Sequence, residues 1–210
     1  VPGKLITLEG IDGSGKSTQA ASLAEYLRVQ GNEVVLLREP GGTPVGEAIR
    51  QILLGDVVSA QTSGARDDIP GAMTEFLLFS AARAALVRQV IAPALDQGRT
   101  VLLDRFYDSS DAYQAFGRGL DREFVRNVNR HSAGGLVPER TLLFDLTPDS
   151  ALKRIPRPVD RMEREGFEFL ARVREGYLAI AREEPHRIRV IDASQPQVKV
   201  FEDAKRALEE

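Results

Sequence analysis

The stretch EGIDGSGKS, Glu9–Ser17, decides how the rest of the chain is read. From Gly10 to Ser17 it satisfies G-x-x-x-x-G-K-[ST], and its flanks are a strand pattern and a helix pattern. The run LITLE, Leu5–Glu9, precedes it. Ala20, Leu23, Ala24 and Leu27 follow at helical spacing, with Gly31 placed to stop the helix. Glycines let such a loop turn its backbone N–H groups inward, the helix start adds a positive end, Lys16 reaches outer phosphates and Ser17 can ligand Mg2+. The stretch therefore predicts a nucleoside triphosphate cradle, without saying what is done with the triphosphate.

Further apolar runs extend the pattern: EVVLLR (Glu33–Arg38), TVLLD (Thr100–Asp104), TLLFDL (Thr141–Leu146) and RIRVID (Arg187–Asp192). Runs of this kind suit strands buried on both faces, and their alternation with helical segments predicts a parallel sheet with helices on both sides. Helices are expected over Val45–Leu54, Ala72–Gln97, Arg122–Ser132 and Arg161–Glu184, the last with Leu170, Val173, Tyr177, Leu178 and Ala181 on one face. Asp56–Gly71 reads as an exposed insertion or mobile loop, and RIPRPVDR, Arg154–Arg161, as a break between helices. Neither is long enough to be a domain, so residues 1–210 are expected to form one domain with a short lid at about 154–161.

Composition narrows the function. The chain has 210 residues, no cysteine and a formal net charge of -3, which excludes thiol chemistry and disulfides and argues against a general nucleic-acid binder. Its N-terminus enters a strand at once, and no apolar run looks long enough for a membrane span, so a soluble cytoplasmic protein is expected. Five of the 28 basic residues are lysines; arginine forks suit bidentate phosphate clamping, although genome composition alone favours such a bias. No NKxD segment is present to read guanine, which sets a GTPase aside. At the end of the third strand Asp104 and Arg105 sit on the edge where such sheets bind ligands: the carboxylate can orient Mg2+ and the guanidinium can clamp an anion, or the two form a structural ion pair.

The continuation DRFYDSSDAYQ (Asp104–Gln114), with REPGGTPVGEAIR (Arg38–Arg50), FLLFSAAR (Phe76–Arg83) and DRMEREGFEFLARVREGY (Asp160–Tyr177), resembles the bacterial thymidylate kinases over nearly the whole chain. The resemblance implies the α/β P-loop nucleotide kinase fold, with a five-stranded parallel sheet. It implies transfer of the γ-phosphoryl of ATP to dTMP with Mg2+, in a homodimer. Gly10, Ile11, Asp12, Gly13, Ser14, Gly15, Lys16, Ser17 and Thr18 would then contact ATP, and Ser17 with Asp104 would serve Mg2+.

On the acceptor side, Phe79 matches the residue stacked on thymine and Arg83, four positions later on the same helix face, the one that bonds its edge. Arg105 matches the grip on the dTMP phosphate, with Arg38 and Arg50 nearby; Ser110 and Gln114 match positions near the base and Tyr113 the residue beneath the sugar. Asp12 and Glu39 match acidic positions near the 3'-hydroxyl and the reacting phosphates, although Asp12 can equally brace the loop. No arginine lies between Gly10 and Lys16, which points the catalytic arginine to the lid: Arg154 or Arg157 first, with Arg161 closer to adenine or to a lid salt bridge. A different nucleotide kinase and an ATP-holding regulator are the competing readings.

Overall fold

The computed structural model describes residues 3–54, 71–155 and 166–209. Five parallel strands, β1 (Leu5–Glu9), β2 (Val34–Arg38), β3 (Thr100–Asp104), β4 (Arg140–Asp145) and β5 (Ile188–Asp192), form one sheet in the order β2-β3-β1-β4-β5. The strand carrying the glycine loop is thus central, paired with β3 through Leu8↔Asp104 and with β4 through Glu9↔Leu143. Strand order reverses at β1, so its carboxyl end opens into the crevice where ligands of such sheets bind.

Alternation along the strands feeds two cores. Ile6, Leu8 and Leu102 pack with helices α1 (Lys16–Val29), α8 (Phe167–Glu183) and α9 (Gln197–Glu209). Leu5, Val101 and Leu103 face the other way, onto Leu86, Val87 and Ile91. Burial on both faces holds for the central strands β1, β3 and most of β4, whereas β2 and β5 at the edges are half exposed.

Helix α2 spans Pro44–Leu54 and α6 spans Arg122–Ser132, close to expectation. The expected helix over Ala72–Gln97 is α3 (Ala72–Leu86), a π-helical turn at Val87–Ile91 and α4 (Ala92–Asp96). Together, Ala72–Asp96 is long and apolar enough to cross a membrane, at a mean hydropathy of 1.3, which corrects the expectation that no run would be. Its apolar face has another use here, because Phe76, Leu86, Val87 and Ile91 are buried against the rest of the fold.

Helix α8 is described from Phe167, so the expected start at Arg161 lies outside the described residues, as does nearly all of the 56–71 loop. Three helical segments were not anticipated: α5 (Tyr107–Ser110), which runs on as a π-helical Asp111–Gly117, then α7 (Pro148–Arg154), and α9. The π segment and α8 meet closely at Gly176, where a Cβ would stand 2.7 Å from the Phe116 ring.

Candidate active site

The glycine loop wraps as its sequence requires. Gly13 has φ +78°, and a Cβ there would come within 2.8 Å of the Ala151 carbonyl oxygen. Lys16, almost fully buried, donates from Nζ to the Ile11 carbonyl at 2.9 Å and to Ser14 Oγ at 3.4 Å. Burial, assisted by the positive charge of Arg105, pulls its pKa down to about 8. Ser17 Oγ donates to Asp104 Oδ2 at 2.5 Å, while Asp104 Oδ1 is buried without a hydrogen-bond partner. A hydroxyl and a carboxylate with a spare oxygen suit a hard divalent ion that takes its other ligands from phosphates and water. No cluster of three or more His, Cys, Asp or Glu side chains placed to hold a metal ion occurs among the described residues.

Beside the loop, Arg105 follows β3 at φ +71°, the one non-glycine residue with positive φ among those described. Its Nη2 donates to Asp12 Oδ1 at 2.5 Å and to the Tyr113 hydroxyl at 3.4 Å. Its Nη1 donates to the Gly10 carbonyl, Ser109 Oγ and the Tyr177 hydroxyl at 3.1, 3.2 and 3.3 Å. Burial alone would raise the pKa of Asp12, but the charges of Arg105 and Lys16 and the Tyr113 hydroxyl outweigh it and hold the carboxyl below its usual range. Behind Arg105 lies Glu9, fully buried, which accepts from the Phe106 N–H, Ser109 Oγ and the Tyr177 hydroxyl at 2.7, 2.6 and 3.0 Å. Burial and the nearby Asp108 charge push Glu9 up to about 7.

Two clefts meet here. One holds Asp12, Glu39, Arg50, Phe79, Arg83, Arg105, Ser110, Tyr113 and Gln114, so nine residues expected around an acceptor nucleotide share one lining. The other holds Asp12, Gly13, Gly15, Lys16, Ser17, Thr18, Arg38, Glu39, Arg50, Asp104, Arg105 and Arg154. Asp12, Glu39, Arg50 and Arg105 line both and mark the junction. Arg38, expected with the acceptor set, lines the glycine-loop cleft instead and sits 3.9 Å from Glu47.

Within the first of these clefts Arg83 is 1% exposed and is held by Glu39 from Nε at 3.0 Å, Asn129 from Nη1 at 2.7 Å and Ser110 from Nη2 at 2.8 Å. Each terminal nitrogen keeps a second N–H. Glu39 Oε1 is buried without a partner, and burial pushes the Glu39 carboxyl up to about 7 against the pull of Arg83.

Ile11 is a core residue whose carbonyl accepts from Lys16 Nζ and from the Ser14 N–H. Gly10 presents its carbonyl to Arg105. Arg154 lines the glycine-loop cleft and a neighbouring groove with Ser14, Thr18, Gln19, Ala193, Gln195 and Gln197, its Nη2 donating to the Ala193 carbonyl at 3.0 Å. Arg157 and Arg161 lie outside the described residues. Sequence reasoning missed Glu9, Ser109 and Tyr177, which hold Arg105, and Gln19 and Gln197 in the groove. Only Glu9 carried a signal, a charged residue ending an otherwise apolar strand run.

The chain matches the Thymidylate kinase family model over residues 8–204. It is 49% identical to a thymidylate kinase of Pelotomaculum thermopropionicum, over 99% of this chain and 94% of that one. It is 50% identical to one of Chlorobaculum tepidum, over 90% and 89%. Among solved structures, the thymidylate kinase of Ehrlichia chaffeensis superposes with a TM-score of 0.75 at 34% identity, covering 99% of both chains. With a P-loop between a central strand and α1, two clefts meeting at Arg105, and relatives matched along almost the full length, the chain belongs to the thymidylate kinase family of nucleoside monophosphate kinases.

Proposed function

We propose that the chain transfers the γ-phosphoryl group of ATP to dTMP, giving ADP and dTDP, with the reaction centred on the junction lined by Asp12, Glu39, Arg50 and Arg105. That junction is the observation that carries the reading. A triphosphate seated on the loop backbone, Lys16 and Ser17 would end where a monophosphate held by Arg105 and Arg50 begins. Phosphoryl transfer demands positioning and charge stabilisation rather than covalent help from the protein.

In this reading Phe79 stacks on thymine and Arg83 donates to its edge. Tyr113 lies under the sugar, and Glu39 Oε1 offers an acceptor to the 3'-hydroxyl. Ser17 and Asp104 would hold Mg2+, which would supply charge neutralisation on the phosphate oxygens. Arg105 grips the acceptor phosphate, and its link to Asp12 keeps the guanidinium at the junction before the substrate arrives. Arg154 is the described lid-side arginine beside the loop and the candidate for stabilising charge on the transferring group; adenine would lie in the groove lined by Gln19 and Gln197. A cytoplasmic location suits these substrates.

The test is an ATP-coupled assay across dTMP, dUMP, dCMP, AMP, UMP and thymidine. Turnover is expected to be fastest with dTMP. Faster phosphorylation of thymidine or AMP would overturn the roles given to Arg105 and Arg83.

A further inference from the structure

We propose that Glu75, which does not line the acceptor cleft, fixes the orientation of the Gln114 amide and through it selects the base. Gln114 lies on the π-helical segment after α5 and lines the cleft at 2% exposure. Its Nε2 donates to Glu75 Oε1 at 2.9 Å. Glu75 is fully buried on α3, four residues before Phe79, and Arg118 grips both its oxygens, from Nε at 3.3 Å and from Nη2 at 3.2 Å. Paired with a guanidinium, the carboxylate can accept but not donate.

That asymmetry locks the amide. Turned over, Gln114 would set its carbonyl oxygen against a carboxylate oxygen, two acceptors in contact with no proton between them, at a position where both side chains are buried. With Nε2 committed to Glu75, the amide oxygen is the end left for the cleft that Gln114 lines. Arg83, which lines the same cleft, is a donor only. The cleft thus offers a donor next to an acceptor, which complements a carbonyl beside a ring N–H, as at O4 and N3 of thymine. Cytosine presents the reverse, an amino donor beside a bare ring nitrogen, and would meet donor with donor and acceptor with acceptor. Glu75 is a positioning residue in this scheme: Arg118 grips both its oxygens, one of those oxygens orders the amide, and the amide reads N3.

The inference rests on dTMP being the acceptor, and its test separates the two. Initial rates with dTMP and dCMP at saturating ATP are compared for the native chain, Glu75→Gln, Gln114→Ala and the double variant. A glutamine at 75 can accept or donate, so it frees the Gln114 amide to present either end. The kcat/KM preference for dTMP over dCMP is expected to fall by ~10-fold or more in Glu75→Gln, with KM for ATP unchanged, and to fall no further when Gln114 is already alanine. An unchanged preference, or an equal extra fall in the Gln114→Ala background, would overturn the proposal. Should Glu75→Gln not fold, Gln114→Met carries the same test: a preference that survives it rules out reading through the amide. Equilibrium binding of dTMP and dCMP keeps the outcomes distinct, since a native chain that binds dTMP selectively yet transfers nothing loses the proposed reaction and keeps this device.

Discussion

Arg105 occupies a left-handed backbone conformation that a branched or bulky residue adopts only when its surroundings hold it there. The surroundings are visible: its N–H bonds the Leu8 carbonyl, and its guanidinium is tied to Asp12, Gly10, Ser109, Tyr113 and Tyr177. Glu9 anchors two of these partners, and its pKa, pushed up to about 7, gives a sign that can be measured. The folded state holds a proton on Glu9 that the unfolded chain releases near 4.5, so this contribution to stability is full below about 4.5 and is lost as pH rises through about 7. Denaturant titrations between pH 5 and 8 should show Glu9→Gln with a shallower loss of stability than the native chain; an identical slope would contradict the assignment. Glu39, raised to about 7 as well, and Asp108, also raised by burial, add to the slope in both. For Lys16, Lys16→Met should lower kcat by roughly 10²- to 10³-fold, as for loss of one transition-state donor, with dTMP affinity preserved by calorimetry. Loss of dTMP binding instead would move Lys16 out of the donor site.

Elements were unequally legible. The five strands and the first helix follow from apolar runs and a glycine-bracketed motif, because a central parallel strand must be apolar on both faces. The segment Tyr107–Gly117 escaped for the opposite reason. Its Ser109, Ser110 and Gln114 turn toward the cleft, its Asp108 toward the buried Arg187 and its Asp111 toward the more exposed Arg122 and Arg126, so no apolar stripe remains to announce a helix. The π-helical turn at Val87–Ile91 is invisible to a pattern search tuned to 3.6 residues, and α9 buries only Val200, Ala204 and Ala207, a stripe too small to stand out. The acceptor residues were legible only as a family pattern, since an isolated phenylalanine or arginine on a helix says nothing of a base. Packing of α8 on the π-helical segment makes its own forecast: Gly176→Ala drives a methyl toward the Phe116 ring and should cost about 1–3 kcal/mol in chemical denaturation. A neutral result would show that Phe116 has room to move.

At the scale of the molecule, a buried ion pair from Arg187, just before β5, to Asp108 of α5 ties the sheet to the helix that brings Ser109 and Ser110 to the cleft lined by Phe79 and Arg83. Met73 and Leu77 on α3 and Phe124 on α6 stay exposed, a neighbouring apolar group on the helix that also carries Phe79. We propose that a homodimer covers this face. Light scattering should give twice the chain mass for the native protein and a monomer for Leu77→Glu; a native monomer would contradict it. The central claim is that the two clefts hold donor and acceptor for one direct transfer. Incubation with Mg2+, dTMP and ATP labelled with 32P in the γ position tests it most directly. The account predicts label in dTDP, in amounts equal to the ADP formed and dependent on dTMP. Label released as inorganic phosphate at a rate indifferent to dTMP would contradict it.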